Sequence, residues 1–466
     1  LDYFKLHPTR NQIDYAGLSQ IKGLAFIDEN NNIRVTGNGE QLPASEMTYP
    51  DMDKHKAGLQ KYGGDSELIH EFFKPITELS DLNLLLGGLG KIPRIGLKGV
   101  YSEGIKFYEK NKNKKFGRIF TTRGCVARCT FCQRAEKGYR VFAAKDLESH
   151  IIELKEKYQS RGFYIDDENF GSNRKHSYDI ARLMKKHDVF WQAAGVRVKS
   201  VTYEDLKFYK EHNMTYVKFG IESGSQEILD IIEKKLTLKD LYNTLANCKK
   251  ARVRTNPENM ILGMPGETEE TVIESAEFTA ELRYLLGMDW TAPNTAMAIS
   301  IPGTPLYEYS QQIGVIGKTL DEEEDYLNRL CEYDPGRGEK ILNYVNKTNS
   351  SMKEVYYWTY LYRYAAKKEY VNLIIKNNKS IKNRLLQIYE KCIKESLNRL
   401  IYDFNLGKKY NKNNKLLKKM KWYTFISIKF LLSLSVPFLP KTVLFPIIRM
   451  CANTRFYYLN KINKEK

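Results

Sequence analysis

Cys125, Cys129 and Cys132 fall within one eight-residue stretch, Cys125-Val126-Ala127-Arg128-Cys129-Thr130-Phe131-Cys132, which follows Gly124 and has the spacing C-x3-C-x2-C. Three thiolates on one short loop can converge on a soft-metal centre. A structural zinc would want a fourth Cys or His close by. The next cysteine is Cys248, and the nearest histidine is His150. A three-thiolate set with one position left open suits a reactive cluster better than a structural zinc site. Cys248, Cys331, Cys392 and Cys451 are dispersed and form no second cluster motif. Seven cysteines in 466 residues are too sparse for a disulfide framework.

Such a loop needs a scaffold, and the surrounding sequence supplies one. Short apolar strands alternate with amphipathic helices from Phe116 to about Tyr309. Strands are read at Arg118 to Thr122, Gly162 to Asp166, Phe190 to Ala194, Tyr216 to Ile221 and Glu258 to Gly263. Helices are read at Asp146 to Tyr158, Tyr178 to Lys186, Thr202 to His212, Leu238 to Arg252 and Glu269 to Leu286. This alternation predicts a parallel sheet or barrel, with chemistry at the C-terminal ends of the strands. Gly23 to Ile27 and Ile33 to Val35, around a polar turn, predict a hairpin. Asn111 to Lys115 reads as a polar linker, and Tyr307 to Asn405 as helical, its tyrosines packing a core.

With these elements in place, the triplet and its neighbours resemble the radical S-adenosylmethionine (SAM) superfamily. FYIDDENF (Phe163 to Phe170), WQAAGVR (Trp191 to Arg197), FGIESG (Phe219 to Gly224), ILGMPGET (Ile261 to Thr268) and IPGTPLY (Ile301 to Tyr307) resemble its second to sixth strand ends. Their order resembles the subgroup that often carries an upstream cobalamin-binding domain. Gly23 to Asp53 resembles that subgroup's connector, so the resemblance covers roughly Ile21 to Tyr309. It implies an α/β fold: a partial (β/α)6 TIM-like barrel, an N-terminal α+β connector and a mostly helical C-terminal domain. The corresponding boundaries are 1–115, 116–310, 311–405 and a basic, apolar tail at 406–466.

The resemblance also implies roles. Cys125, Cys129 and Cys132 would hold a 4Fe–4S cluster whose open iron takes SAM, and Phe131 would shield it. Asp167 and Glu168 would accept from the SAM amino group, and Arg197 would pair with its carboxylate. Glu222 and Ser223 would reach the ribose or methionine end, and Ile261 and Gly263 would border the adenine. Asp167 and Glu222 are the candidate catalytic carboxylates. The implied activity is reductive cleavage of SAM to a 5′-deoxyadenosyl radical, coupled or not to cobalamin-dependent methylation of an unactivated carbon. The implied partners are a small-molecule or lipid-linked substrate and an electron donor such as flavodoxin or ferredoxin. A glycan or lipid substrate handled without cobalamin and a non-catalytic cluster-binding scaffold are the alternatives. Asp53, His55 and Gly58 spell D-x-H-x-x-G, a cobalt-ligand motif of another family. The polar, Pro50-broken stretch before it is no buried strand, so His55 is not read as a ligand. No cysteine precedes Cys125, which disfavours tRNA methylthiolation.

Charge sets further bounds. The net charge is +18, but Ile401 to Lys466 alone holds 14 Lys or Arg against Asp403 and Glu465. A uniformly basic nucleic-acid binder would not segregate its charge this way. Lys408 to Lys421 followed by the apolar Trp422 to Met450 suits an in-plane membrane anchor, or a helix pair docked on the barrel. The longest uncharged run there, Phe430 to Pro440, is too short to span a bilayer. Leu1 to Gln20 has no signal-peptide core, so a cytoplasmic protein, peripheral on the inner membrane face, is expected. The chain begins at Leu1 rather than Met, which suits a cut end with a domain missing upstream.

Overall fold

The structure is a computed structural model. It describes residues 14–49, 115–332, 344–388, 427 and 431–464, except 31, 38, 40–42, 134–137, 258–259, 289, 291–292, 294 and 379. His55, Gly87 to Gly90, Cys392, Lys408 to Lys421 and Trp422 lie outside these residues.

In chain order the elements are α1 (Tyr15–Gln20), β1 (Ala25–Ile27), β2 (Ile33–Val35), β3 (Lys115–Ile119), β4 (Thr122–Gly124), β5 (Tyr139–Val141), α2 (Ala144–Tyr158), β6 (Ser160–Ile165), α3 (Arg174–Lys186), β7 (Phe190–Val196), α4 (Tyr203–Glu211), β8 (Met214–Phe219), α5 (Gln226–Ile231), α6 (Leu238–Ala251), β9 (Arg254–Thr255), β10 (Met260–Leu262), α7 (Glu269–Leu286), β11 (Thr295–Met297), α8 (Pro305–Gln312), α9 (Leu320–Glu332), α10 (Met352–Asn377), α11 (Ile381–Ile388) and α12 (Lys441–Lys464).

β1 and β2 form the expected antiparallel hairpin. The Asp28 carboxylate accepts from the Asn30 and Asn32 amides and closes its turn. Five strands form one sheet in the order β3-β6-β7-β8-β9, every neighbouring pair parallel. β10 and β11 pair in parallel, and a bridge between Glu222 and Met260 joins them to the end of β8. β4 and β5 form an antiparallel hairpin beside the sheet.

The helices start where the sequence places caps. Thr202 with Asp205, Thr237 with Asp240 and Thr268 with Thr271 each form a reciprocal capping box. Each return helix then turns its apolar stripe to one sheet face. Leu147, Ile151, Ile180, Met184, Leu206 and Leu241 are all fully buried there, with Phe163, Ile165, Trp191, Ala193 and Phe219 of the strands. Trp191 also donates its indole N–H to the His212 carbonyl at 2.7 Å.

Two expectations are corrected. IPGTPLY is not a strand end. The last strand is β11, and Thr304 and Pro305 instead begin α8, with the Thr304 hydroxyl accepting from the Tyr307 amide. Asn111 to Lys115 is not wholly linker either, since Lys115 opens β3.

α10 is buried on nearly all sides, as a central core helix should be. Its tyrosines pack, as expected, and find polar partners: Tyr362 with the Thr279 hydroxyl at 2.7 Å, and Tyr357 with Glu269 at 3.1 Å. α12 lies against it. Leu444, Ile448 and Ala452, four residues apart, are fully buried. Arg449 bonds Glu269 and Glu354 and sits 4.2 Å from the Tyr357 ring centre, and Lys441 bonds Glu277. Of the two tail readings, the docked helix describes α12. Among the described residues no helix is long and apolar enough to cross a membrane.

Candidate functional site

β3 leads directly into the cysteine loop, and Asp167 fixes that junction. Its carboxylate accepts from the Thr121 amide at 2.6 Å, the Thr122 amide at 3.1 Å and the Thr121 hydroxyl at 2.5 Å. Burial raises its pKa, and these donors work in the opposite direction. Gly124 ends β4 with φ +76°, a left-handed turn that releases the chain into Cys125. The loop is then tied at its middle. The Thr130 amide donates to the Ile232 carbonyl at 3.1 Å, and the Leu306 amide donates to the Thr130 carbonyl at 3.0 Å. The Ala127 amide points at the Cys125 sulfur at 3.4 Å.

The three thiols lie beside two cations. Burial raises the pKa of Cys129, while Lys234 and, more weakly, Arg197 oppose that rise. Burial likewise pushes the Cys132 thiol up to about 11. Lys234 bonds Glu222 at 2.8 Å, with side chains only 14% and 12% exposed, and lies 5.9 Å from the Phe131 ring centre. Burial works against the Lys234 ammonium, but Glu222 and then the thiols more than offset it, so its pKa is raised. Gly220 makes the pair feasible. A Cβ there would lie 2.5 Å from Glu222 Oε1 and 2.8 Å from Lys234 Nζ. Glu222 itself takes φ +68°, and its carbonyl receives the Ile261 amide at 2.8 Å.

The remaining candidates divide. Glu168 is exposed past β6, Arg197 is half-buried at the end of β7, and Ile261 is half-buried in β10. Phe131 packs on the core beside Lys234. Three expected SAM contacts are corrected. Asp167 has its carboxylate taken up by Thr121 and Thr122, so it positions the cysteine loop. Ser223 is buried and turned toward α7, where its hydroxyl meets that of Ser275 at 3.0 Å. The space beside Gly263 is filled by Tyr344, whose hydroxyl donates to the Gly263 carbonyl at 2.6 Å; a Cβ there would lie 2.3 Å from that hydroxyl.

Sequence reasoning missed Lys234, Glu267 and the segment from Tyr344 to Lys347. Lys234 had no signal, because its partner lies twelve residues away across a helix. Glu267 had one: a carboxylate closing a Gly-Met-Pro-Gly turn can accept the turn's amides. It does so from Gly263 and Met264, and burial raises its pKa to about 8. Lys347 donates to the Ala298 and Val345 carbonyls at 2.7 Å each and ties this segment to the end of β11.

The donor set can be tested against its implied occupant. Among the described residues no three His, Cys, Asp or Glu side chains are gathered closely enough to hold one ion. A tetrahedral zinc, with sulfur at about 2.3 Å, would need its sulfurs within about 4 Å of one another. An iron–sulfur cluster spreads its thiolates over different irons. Three soft donors on a pinned loop, flanked by cations that would offset cluster charge, fit such a cluster.

The family model for the radical SAM superfamily matches residues 119–279. Among curated proteins, the chain is 30% identical over 201 residues to a protein named uncharacterized methyltransferase PH0819 from Pyrococcus horikoshii, covering 42% of each. It is 26% identical to cytidylyl-2-hydroxyethylphosphonate methyltransferase from Streptomyces wedmorensis, covering 39% of this chain and 36% of that protein. Among solved structures it is similar to the radical SAM methyltransferase TsrM from Kitasatospora setae, at 17% identity and a TM-score of 0.37, covering 46% of this chain and 42% of that one. The chain thus spans less than half the length of these curated relatives. Residues 119–279, with the cysteine loop at their start and a parallel sheet to carry it, match the radical SAM family model.

Proposed function

We propose that the chain is a radical SAM enzyme whose Cys125, Cys129 and Cys132 hold a 4Fe–4S cluster. The observation that carries this reading is the cysteine loop itself, pinned by Asp167 and flanked by Arg197 and Lys234. Such a cluster supplies one electron to bound SAM, giving methionine and a 5′-deoxyadenosyl radical for hydrogen abstraction. The chain's own residues do the placing. Arg197 and Lys234 offer charge to the SAM carboxylate, and Glu222 offers acceptor oxygen to its amino group. Phe131 would shield such a cluster and exclude water.

β9 and β10 are read as one strand interrupted at 256–259. With β11 they extend β3, β6, β7 and β8 into a partial six-stranded barrel, spanning about 116–310. The 1–115 connector, the helical 311–405 region and the 406–466 tail flank it. Methyl transfer is the favoured reaction type, because both curated relatives are named methyltransferases. Cobalamin and a flavodoxin- or ferredoxin-like donor belong to this reading.

The test is anaerobic. The chain is reconstituted with iron and sulfide, given SAM and a strong reductant with or without cobalamin, and assayed by mass spectrometry. 5′-Deoxyadenosine that disappears in the Cys125/Cys129/Cys132→Ala variant supports the radical reading, and cobalamin-dependent S-adenosylhomocysteine supports methyl transfer. Neither product at full iron load favours the non-catalytic scaffold.

A peripheral membrane contact has one specific observation behind it. Val443, Met450 and Tyr457, seven residues apart on α12, are 45%, 63% and 75% exposed. This stripe lies on the opposite side from the docked residues, in a strongly basic tail. Vesicles containing anionic lipid should retain the wild-type chain and release a Val443→Ser/Met450→Ser/Tyr457→Ser variant.

A further inference from the structure

The two faces of the five-stranded sheet differ in character. The helix-side face is apolar. On the other face the register aligns one residue from each strand: Arg118, Tyr164, Gln192, Tyr216 and Arg254. Paired residues of parallel strands point to the same side, so these five form one polar row. The Arg118 guanidinium lies 5.5 Å from the Tyr164 ring centre, as neighbours in such a row should.

Below the row the face is closed by aromatic rings. Phe116 and Phe190 stack at 5.7 Å over Gly162, where a Cβ would meet Phe190 at 2.2 Å and Phe116 at 2.8 Å. Above it, by the two-residue period of a strand, stand Asp166 and Lys218, and beyond them the strand ends that carry the cysteine loop. The row therefore lies between an apolar floor and the strand ends that carry the candidate site, with Gln192 and Tyr216 buried at its middle and Arg118 exposed at its edge.

The row carries a buried donor without a partner. Gln192 is 2% exposed, and its amide nitrogen makes no hydrogen bond. Tyr216 is 6% exposed, and burial raises its phenol's pKa, keeping it a neutral donor. A buried amide without a partner is costly, and native proteins rarely keep one without a reason. Lys218 and Arg254 add positive charge. Asp166, a carboxylate on this face, is already bonded to Arg118 at 2.7 Å.

We propose that this row binds the substrate beneath the site, and that its donors select a small molecule bearing an oxyanion, carboxylate or phosphoryl, rather than a hydrocarbon chain. The assignment rests on the radical SAM reading for the side from which substrate meets the site. Gln192 donates to the anion, Tyr216 adds a second neutral donor, and Lys218 and Arg254 supply the field.

The experiment titrates the full chain with inorganic phosphate, with acetate and with 1-octanol by calorimetry, and needs neither cluster nor SAM. Saturable binding of phosphate or acetate is expected, and the stronger of the two identifies the anion class. Gln192→Leu should weaken it about tenfold and Tyr216→Phe several-fold. Lys175→Met, at an exposed position, should leave it unchanged. Gln192→Leu should melt no lower than wild type, because it removes an unpaired polar group, so lost binding is not lost folding. Binding that falls with Arg197→Met but not with Gln192→Leu would put the anion at the upper site and overturn the proposal. So would affinity that no variant alters, or octanol binding that Gln192→Leu strengthens while neither anion binds. The two readings also fail separately. Phosphate binding through Gln192 without 5′-deoxyadenosine sinks the radical assignment and keeps the anion site, and the converse result sinks the anion site alone.

Discussion

Replacing Lys234 by methionine keeps most of its volume and removes its charge. It leaves the Glu222 carboxylate, 12% exposed, without its ion-pair partner and facing the sulfurs of Cys129 and Cys132. At the observed 2.8 Å separation, and with an effective dielectric of about 20, the pair attracts by roughly 6 kcal/mol. Desolvation takes back much of that, and removing one partner of a buried pair costs about 3–5 kcal/mol. Lys234→Met should therefore lower the melting temperature by about 10 °C. Glu222→Gln should cost less, about 1–2 kcal/mol, because the stranded ammonium still has electron-rich sulfurs beside it. The Lys234→Met/Glu222→Gln double variant strands neither charge and should recover most of the loss. Anaerobic thermal melts of the four proteins complete the cycle. Strictly additive losses, or a Glu222→Gln loss larger than that of Lys234→Met, would refute the argument.

Asp167→Ala leaves the Thr121 and Thr122 amides without their acceptor; it should cost about 1–3 kcal/mol and lower the iron bound per chain after reconstitution, measured colorimetrically. Glu267, raised to about 8 by burial, holds its proton in the folded chain across a range where the unfolded chain has lost it. Stability should fall as pH rises from about 4.5 to about 8 and level off above that, and melts of Glu267→Gln should lack this slope. Gly220→Ala meets only the flexible ends of Glu222 and Lys234, so it should shift the melting point by a few degrees at most while weakening SAM binding several-fold by equilibrium dialysis. Gly263→Ala, at φ +81° and against the Tyr344 hydroxyl, should cost about 2 kcal/mol or more in the same melts.

The regular part of the fold was legible because each element announced itself locally. The 3.6-residue apolar period predicted α2, α3, α4, α6 and α7, and Thr202 marked a true cap. The strands β3, β6, β7 and β8 were bounded by those helices. Four short pieces, β4, β5, β9 and β11, escaped because two or three residues carry no period. α12 was ambiguous for a different reason. Its apolar composition suits either a membrane or a protein surface, and the choice was made by Arg449 and Lys441 meeting acids of α7 and α10 far away in sequence.

The cysteine loop was legible in the sequence and its polar surroundings much less so, and the difference is physical. Three cysteines at fixed spacing act through one loop, so sequence carries their geometry. A carboxylate at a strand end can face the ligand, a neighbouring loop or a helix, and strand periodicity stops where the strand does. Asp167 and Ser223 were decided by what lies beside them: the amides of Thr121 and Thr122 in one case and Ser275 in the other. These three ties share a consequence. β3 is held to β6 through Asp167, the end of β8 to α7 through Ser223, and the Gly263 carbonyl to the segment after α9 through Tyr344. The residues lost from the expected contact list thus reappear as the braces of the strand ends. Lys234 and Glu222, paired across the gap that Gly220 leaves open, are left as the charged groups nearest the thiols. A cluster loop so braced can keep its cysteines in place while the ligand on its open side changes.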